Sequence, residues 1–291
     1  MALGFIGIAH CQRRVRLAVP KHPLAIEERK ALGLLFRACR QVLVTLLFGL
    51  VLAAPGSAGG ERVTLAVASN FKTVADALAP AFEEASGHKV LVSFGSSGKL
   101  FTQISQGAPF DILLSADELR PELLVEQGLA LPDSRFTYAI GKLALWSALS
   151  RYDEDDVLLD ALKDGDFRRL AIANPKLAPY GLAAKQSLTA LGLWDGVKGR
   201  IVMGQNIGQT FAMVATGNAE LGLVALSFLL QPEMEGEGRY WEVPGDLHDP
   251  IRQDAVLLRR AEDNRAARAF LAYLQSDDAR AIIRSFGYRT D

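Results

Sequence analysis

The sequence predicts an α/β protein made of two units of similar organisation, each a sheet flanked by helices. Short apolar runs alternate with helical stretches over residues 63–127, and the same alternation recurs over residues 142–226. Further strand and helix patterns occupy residues 254–286. An alternation of this kind is typical of a parallel sheet covered by helices, and the length of the chain suits two such units.

The first unit is predicted to contain three strands, each followed by a helix. In the first helix, Val74, Leu78 and Phe82 recur at four-residue spacing, which places them on one buried face. The predicted strands are residues 63–68, 89–94 and 111–115, and the helices that follow them begin near residues 70, 98 and 118.

The second unit repeats this pattern, and the end of the chain is expected to return to the first unit. The predicted elements are strands at 142–146, 170–173, 201–203, 221–226 and 254–258, helices at 181–191, 208–216, 264–275 and 277–286, and a loop at 232–245. We therefore expect a first lobe of residues 61–139 plus 252–291 and a second lobe of residues 140–251.

Residues 1–58 have the features of a leader with a signal peptide. Residues 41–54 (QVLVTLLFGLVLAA) carry no charge, Arg37 and Arg40 precede them, and Pro55 and three small residues follow. The competing interpretation is a membrane anchor, but this run falls short of the roughly 20 residues needed to span a bilayer. We expect export to the periplasm and cleavage after Ala58. A translation start assigned too far upstream explains the unusual length before the apolar run.

Removing the leader changes the charge and the cysteine count. Cys11 and Cys39 are the two cysteines of the chain, and eight of the 32 Lys and Arg but only two of the 33 Asp and Glu lie before residue 59. The remaining chain has a formal charge of −7 and no cysteine. Such a chain must rely on its core for stability, and its charge argues against nucleic acid or an anionic membrane as a partner.

No arrangement typical of an enzyme is found after the leader. The histidines there are His88, in a helix-to-strand turn, and His248, in an acidic loop, and neither has a serine elbow or metal-ligand spacing around it. We interpret both as surface histidines. Neither common phosphate-loop spacing is present.

Small hydroxyl and amide residues follow the first two predicted strands instead. Ser69 and Asn70 come directly after the first strand, and residues 96–98 (SSG) come after the second. One interpretation is simple helix capping. The other is a binding site for an anion, because both segments begin helices at the carboxyl ends of neighbouring parallel strands. The pattern alone leaves both open.

Six segments in order make the chain resemble the periplasmic molybdate-binding proteins of ABC importers. They are AVASNF (66–71), SFGSSGKL (93–100), GAPFDILLSAD (107–117), ANPKLAPYGLAAKQSL (173–188), LGLW (191–194) and AELGLVALS (219–227). The resemblance extends from about residue 63 to the C-terminus. It implies the two-lobed periplasmic binding protein fold (type II), with molybdate or tungstate bound in the cleft between the lobes. It further implies a monomer without cofactor or catalysis that delivers its ligand to a membrane permease.

The resemblance also implies a ligand site made only of neutral hydrogen-bond donors. In that family the oxyanion is held by hydroxyl and N–H groups, and the metal enters as the oxyanion with no protein ligand. The positions that match here are Ser69, Asn70 and Ser97, with the backbone N–H groups of Tyr180 and Ile207. One departure is Ala225, where some members carry a tyrosine that contacts the ligand. This implies that Asn70 supplies the missing donor.

The chemistry of the ligand agrees with such a site. Molybdate is a tetrahedral dianion that offers acceptors only, whereas phosphate keeps a proton near neutral pH and favours a site with an acceptor. We interpret Asp111 and Asp117 as structural, and Lys72 and Lys99 as facing solvent. Sulfate, also a tetrahedral dianion, differs mainly in size, so the residues leave it open.

Two functions of a different class are compatible with a two-lobed fold. One is an enzyme, and the lack of cysteine after the leader and the unremarkable histidines count against it. The second is the ligand-sensing domain of a regulator. The predicted export and the lack of a recognisable DNA-binding segment count against that function.

Overall fold

The computed structural model describes residues 60–152 and 157–290 of the chain. The predicted leader, with its apolar run and its cleavage point after Ala58, lies outside these residues. Within the described ranges, none of the helices combines the length and the apolar character needed to cross a bilayer.

Strands and helices alternate along most of the described chain. The strands are β1 (Arg62–Ala68), β2 (Lys89–Gly95), β3 (Ile112–Leu114), β4 (Phe136–Gly141), β5 (Leu143–Ser147), β6 (Leu170–Ala173), β7 (Ile201–Gly204), β8 (Leu221–Ala225), β9 (Arg239–Glu242) and β10 (Ile251–Leu257). The helices are α1 (Lys72–Ser86), α2 (Ser97–Ser105), α3 (Leu119–Glu126), α4 (Val157–Asp164), α5 (Pro179–Ala190), α6 (Trp194–Val197), α7 (Ile207–Ala215), α8 (Leu226–Leu229), α9 (Arg265–Leu274) and α10 (Asp277–Ser285). A 3-10 turn, Ser69–Phe71, connects β1 to α1.

The strands form two sheets of the same design. The first has the order β2-β1-β3-β10-β4 and the second β7-β6-β8-β5-β9. In each sheet three strands are parallel, and the other two pair antiparallel with their neighbours. The expectation of parallel sheets was therefore right for three strands of each sheet and wrong for β5 and β10, which pair antiparallel; β4 and β9 were not predicted as strands. The α/β fold with two sheets flanked by helices is confirmed.

The chain crosses between the sheets twice. It passes from β4 to β5 through the single residue Lys142 and returns from β9 to β10 through residues 243–250. We call the part built on the first sheet the first lobe and the part built on the second sheet the second lobe. Because β10 lies between β3 and β4, the C-terminal segment belongs to the first lobe.

Separate apolar cores stabilise the lobes. In the first lobe, Phe82 of α1 packs edge-on against Phe270 of α9, with ring centroids 5.2 Å apart. The core of the second lobe also takes in Ala68 and Ala116 of the first lobe, which pack with Tyr180 and other residues of the second. Apolar contacts therefore continue across the boundary between the lobes.

Five strands and helices were missed by the sequence patterns: β4, β9, α4, α6 and α8. The predicted loop at 232–245 was wrong over residues 239–242, which form β9. This strand pairs with β5 alone at the edge of its sheet, and its four residues are largely exposed, so they carry no apolar run that would indicate a strand. The last strand also begins at Ile251, three residues before its predicted start at 254.

Candidate functional site

Helices that begin at the carboxyl ends of parallel strands place the five predicted site residues. Ser69 opens the turn after β1, and Ser97 is the first residue of α2, which follows β2. Tyr180 is the second residue of α5, and Ile207 is the first residue of α7, which follows β7. The side chains are all buried: Ser69 is 9% exposed, Asn70 2%, Ser97 1%, Tyr180 1% and Ile207 2%. The first N–H groups of each helix have no partner within it, so those not bonded to other parts of the chain can donate to an anion.

Two hydrogen bonds bring the starts of these helices together across the lobe boundary. The backbone N–H of Gly208, at the start of α7, donates to Ser69 Oγ over 3.5 Å. The N–H of Gly98, at the start of α2, donates to the carbonyl of Leu177, just before α5, over 2.9 Å. A Cβ at Gly98 would lie 3.0 Å from that carbonyl oxygen, so a larger residue would push the lobes apart. Ser69 thus lies beside the start of α7, and Ser97 near the start of α5.

The hydroxyl group of Ser97 does not cap its helix and keeps a hydrogen that it can donate. Its Oγ accepts a hydrogen bond from the backbone N–H of Ala116 at 2.9 Å, which leaves its own O–H available. The cap of α2 is Ser96, whose Oγ accepts from the N–H of Lys99 at 3.4 Å. In the same way Asn206 caps α7, accepting from the N–H of Gln209 at 2.9 Å. Capping is therefore assigned to neighbours of the predicted site residues.

The side chain of Asn70 points into the protein. Its Nδ2 donates to Gln253 Oε1 at 2.8 Å and to the hydroxyl of Tyr288 at 3.0 Å, which accounts for both amide hydrogens. The backbone carbonyl oxygen of Asn70 accepts from the Tyr288 hydroxyl at 2.9 Å and from Ser227 Oγ at 3.3 Å. The group that Asn70 has left to offer is its backbone N–H, in the first turn after β1.

Four residues that the sequence patterns missed surround Asn70 and form a buried polar network. Gln253, on β10, is fully buried; its Oε1 also accepts from the Tyr138 hydroxyl at 3.2 Å, and its Nε2 donates to the Tyr180 hydroxyl at 3.3 Å. Ser227 and Tyr288 complete the set, with their oxygens 3.0 Å apart. Gln253 lies in a strand, IRQDAVL, that is buried along almost its whole length, although its sequence is too polar to indicate this burial.

The network is uncharged. Burial raises the pKa of the Tyr138 and Tyr180 hydroxyls well above the ordinary tyrosine value, and the neighbouring Tyr288 adds to the rise. Burial also raises the pKa of Tyr288, although hydrogen bonds with Ser227 and Asn70 oppose it. All three hydroxyls therefore keep their protons near neutral pH. Among the described residues, no buried side-chain nitrogen or oxygen lacks a hydrogen-bond partner.

The two aspartates near the site have structural partners. Asp111 accepts from the N–H of Thr64 at 2.7 Å and pairs with Arg260 at 2.6 Å. Asp117 forms an ion pair with Arg120, on the adjoining helix α3, and accepts from Ser115 Oγ at 2.9 Å. Both carboxylates are therefore occupied by partners of the protein itself, which agrees with a structural role.

The remaining charged and titratable candidates also lie outside the site. Lys72 is exposed and paired with Asp76, and Lys99 is exposed on α2. His88 accepts from the N–H of Glu61 at 3.1 Å, and the Nδ1 of His248 lies 2.7 Å from the carbonyl of Asp249. These four side chains therefore have no place in the predicted donor set, whereas Arg120 lies near it, because a Cβ at Gly98 would be 3.4 Å from the Arg120 Nε.

Comparison with known proteins assigns this arrangement to a family. Residues 63–289 match the family model described as bacterial extracellular solute-binding protein. The chain belongs to this family. Solute-binding proteins capture a ligand and do not transform it, so the expectation that the chain is not an enzyme is confirmed.

Two relatives of this solute-binding protein match over nearly their full length. The molybdate-binding protein ModA of Azotobacter vinelandii is 46% identical over 248 residues, which are 85% of this chain and 96% of the relative. The molybdate-binding protein ModA of Rhodobacter capsulatus is 45% identical over 241 residues, which are 82% of this chain and 92% of the relative.

A solved structure agrees with the fold. The periplasmic molybdate-binding protein of Azotobacter vinelandii superposes with a TM-score of 0.75 and 41% identity, covering 79% of this chain and 99% of that one. The resemblance to molybdate-binding proteins and the two-lobed periplasmic binding protein fold are therefore confirmed.

Proposed function

We propose that this protein binds molybdate and tungstate outside the cytoplasm and delivers them to the membrane permease of an ABC importer. The observation that carries the proposal is the pair of buried serines, Ser69 and Ser97. The Ser69 oxygen accepts a hydrogen bond from the N–H of Gly208, and the Ser97 oxygen accepts one from the N–H of Ala116. Each serine therefore has its own O–H left to donate. The relatives that carry the name molybdate-binding protein share nearly half of their residues with this chain.

The proposed ligand set has seven donors in all. Two are the hydroxyls of Ser69 and Ser97, and the others are the first-turn N–H groups of Ser69, Asn70, Ser97, Tyr180 and Ile207. A dianion that can only accept hydrogen bonds suits such a set, since none of these groups needs an acceptor from the ligand. The positive ends of the helix dipoles at α2, α5 and α7 add to the attraction for an anion.

Binding is proposed to close the two lobes over the ligand. The proposed lobes, residues 61–139 plus 252–291 and residues 140–251, follow the two sheets to within two residues, because β4 ends at Gly141 and β10 begins at Ile251. The crossings at Lys142 and at residues 243–250 are where the backbone would bend. Each lobe contributes part of the donor set, so the site is complete only when the lobes are together. Closure about a few connecting residues is the usual motion of such proteins.

Titration calorimetry with sodium molybdate and sodium tungstate tests the proposal. We expect one site per chain and a clear rise in melting temperature with either anion, because ligand binding to the folded state alone stabilises it. Absence of both heat and stabilisation would contradict the proposal. A matched titration of the Ser69→Ala/Ser97→Ala double variant is the control, and it should lose most of the signal.

Export, cleavage after Ala58 and a monomeric state are parts of the same proposal. The intact mass of the exported product should correspond to a chain that begins at Gly59, and its mass in native conditions should be that of one chain. A product that retains residues 41–54 and sediments with membranes would support a membrane anchor instead.

A further inference from the structure

We propose that Gln253 is a positioning residue that holds the donors of the two lobes in their binding arrangement; this rests on the proposed oxyanion site. Gln253 lies on β10 in the interior of the first sheet and is fully buried. Its one amide group contacts Asn70 of the first lobe and Tyr180 of the second, and both belong to the proposed ligand set.

On the first lobe, Gln253 fixes the turn that presents Ser69. The hydrogen bond from Asn70 Nδ2 to Gln253 Oε1, at 2.8 Å, ties the middle residue of the turn Ser69–Phe71 to β10. The Tyr138 hydroxyl lies 3.2 Å from the same oxygen and 3.0 Å from the Ser115 carbonyl oxygen, so its one hydrogen is shared between these two acceptors. The turn is therefore held from within the sheet and not by the ligand.

On the second lobe, Gln253 fixes the start of α5. Its Nε2 donates to the Tyr180 hydroxyl at 3.3 Å, and Tyr180 is the residue whose backbone N–H is a proposed ligand donor. The contact is closely fitted, because a Cβ at Gly141 would overlap the Tyr180 hydroxyl oxygen and lie 2.7 Å from Gln253 Nε2. A residue larger than glycine at position 141 would displace both partners.

A second connection joins the lobes beside the first. Ser227, at the start of the second lobe's α8, lies 3.3 Å from the Asn70 carbonyl oxygen and 3.0 Å from the Tyr288 hydroxyl. The network thus crosses the lobe boundary at two points, and Asn70 takes part in one and Gln253 in the other. Both connections can form only when the lobes are closed, so the network favours the closed arrangement independently of the ligand.

Glutamine suits this position better than glutamate. The amide both accepts, from Asn70 and Tyr138, and donates, to Tyr180, whereas a carboxylate would lose the donated bond. A carboxylate would also bring a negative charge close to a bound dianion, which opposes binding. The neutral side chain therefore serves both the geometry and the electrostatics of the site.

The test compares Gln253→Met, which keeps the approximate volume but removes the hydrogen bonds, with Gln253→Glu and the control Ser134→Ala. Ser134 also makes hydrogen bonds within the first lobe, to Leu131 and Leu257, but none to the network. Molybdate affinity and dissociation rate are measured with the melting temperature of the ligand-free protein. We expect Gln253→Met to bind at least ten-fold more weakly, mainly through faster dissociation, and Gln253→Glu to bind more weakly still. Ser134→Ala should lower the melting temperature and leave affinity within about two-fold.

Tyr180→Phe provides a second route if Gln253→Met does not fold. It removes the acceptor of the Gln253 amide and a hydrogen-bond partner of Tyr288 but keeps the backbone N–H, so we expect affinity to fall three- to ten-fold. In the double variant the two changes should not multiply, because they break the same connection. The inference is overturned if Gln253→Met and Tyr180→Phe both bind molybdate like the parent. If Gln253→Met does not fold, parent-like binding by Tyr180→Phe alone overturns it. Failure of the parent protein to bind molybdate would instead overturn the proposed function.

Discussion

The hydroxyl oxygen of Ser97 accepts a hydrogen bond from the backbone N–H of Ala116, while the neighbouring Ser96 caps the helix on which Ser97 lies. Two consecutive serines thus have different tasks. Ser96 accepts a hydrogen bond from a backbone N–H in the first turn of α2, and Ser97 has a hydroxyl hydrogen to donate to a ligand. A substitution at each position can separate stability from binding.

Ser97→Ala should weaken molybdate binding by about 1.5–3 kcal/mol, the scale for a hydrogen bond to a charged group. Ser96→Ala is the matched control, and it should lower the free energy of unfolding by about 1 kcal/mol with little change in affinity. Calorimetry gives the affinities, and denaturant unfolding without ligand gives the stabilities. Equal losses of affinity in the two variants would contradict the division of roles.

Gly98→Ala should weaken binding by about 1–3 kcal/mol, because the new methyl group would crowd the Leu177 carbonyl when the lobes close. The control is Gly196→Ala, where an added Cβ has no neighbour within 4 Å. Affinity measured by calorimetry should be unchanged in this control. Parent-like binding by Gly98→Ala would show that the contact between α2 and the loop before α5 is not needed.

Asn70→Ala should lower both affinity and stability, unlike Ser97→Ala. It removes the partners of Gln253 and Tyr288, and each buried group left without a hydrogen bond costs about 1–3 kcal/mol. Unfolding without ligand measures the loss of stability, and calorimetry measures the loss of affinity. A variant with parent stability and weakened binding would mean that the Asn70 side chain turns toward the ligand. That outcome would support the role inferred from the absence of tyrosine at Ala225.

Stability should fall above about pH 10. The pKa values of Tyr138, Tyr180 and Tyr288 are raised in the folded protein, so folded tyrosines keep protons that unfolded ones release near pH 10. The contribution of these tyrosines to the free energy of unfolding is fully present below about pH 10 and is lost as pH rises toward the folded pKa values. Urea unfolding between pH 7 and pH 11 measures the decline, and Tyr138→Phe should make it shallower. A flat profile in this range would contradict the burial of neutral hydroxyls.

The sequence patterns predicted the strand–helix order well where apolar runs were buried on both faces. β1, β6 and β8 are such runs, and their predicted bounds differ from the observed ones by one residue at most. β9 was missed because an edge strand with largely exposed side chains has no apolar pattern. The antiparallel strands β5 and β10 were predicted as strands, but their direction depends on pairing between distant segments, which periodicity does not carry.

The resemblance to family motifs indicated which residues at the starts of helices belong to the candidate site. It did not indicate the residues that surround them. Ser69, Ser97 and Ile207 follow strands in sequence, so local pattern is enough to place them. Gln253 contacts Asn70, which is 183 positions away in the chain. Tyr288 also contacts Asn70, from a distance of 218 positions. No local pattern could indicate such contacts, since they arise from the return of the C-terminal segment to the first sheet.

The central claim is that the site selects a large tetrahedral dianion by a set of neutral donors. Competition calorimetry on one preparation, with molybdate titrated in the presence of excess sulfate and then of excess phosphate, tests it most directly. We predict that molybdate and tungstate bind with similar affinity and that sulfate binds at least ten-fold more weakly, a gap of about 1.4 kcal/mol. Phosphate should compete less than sulfate near neutral pH, because its proton finds no acceptor among the donors. Sulfate binding level with molybdate would contradict the claim.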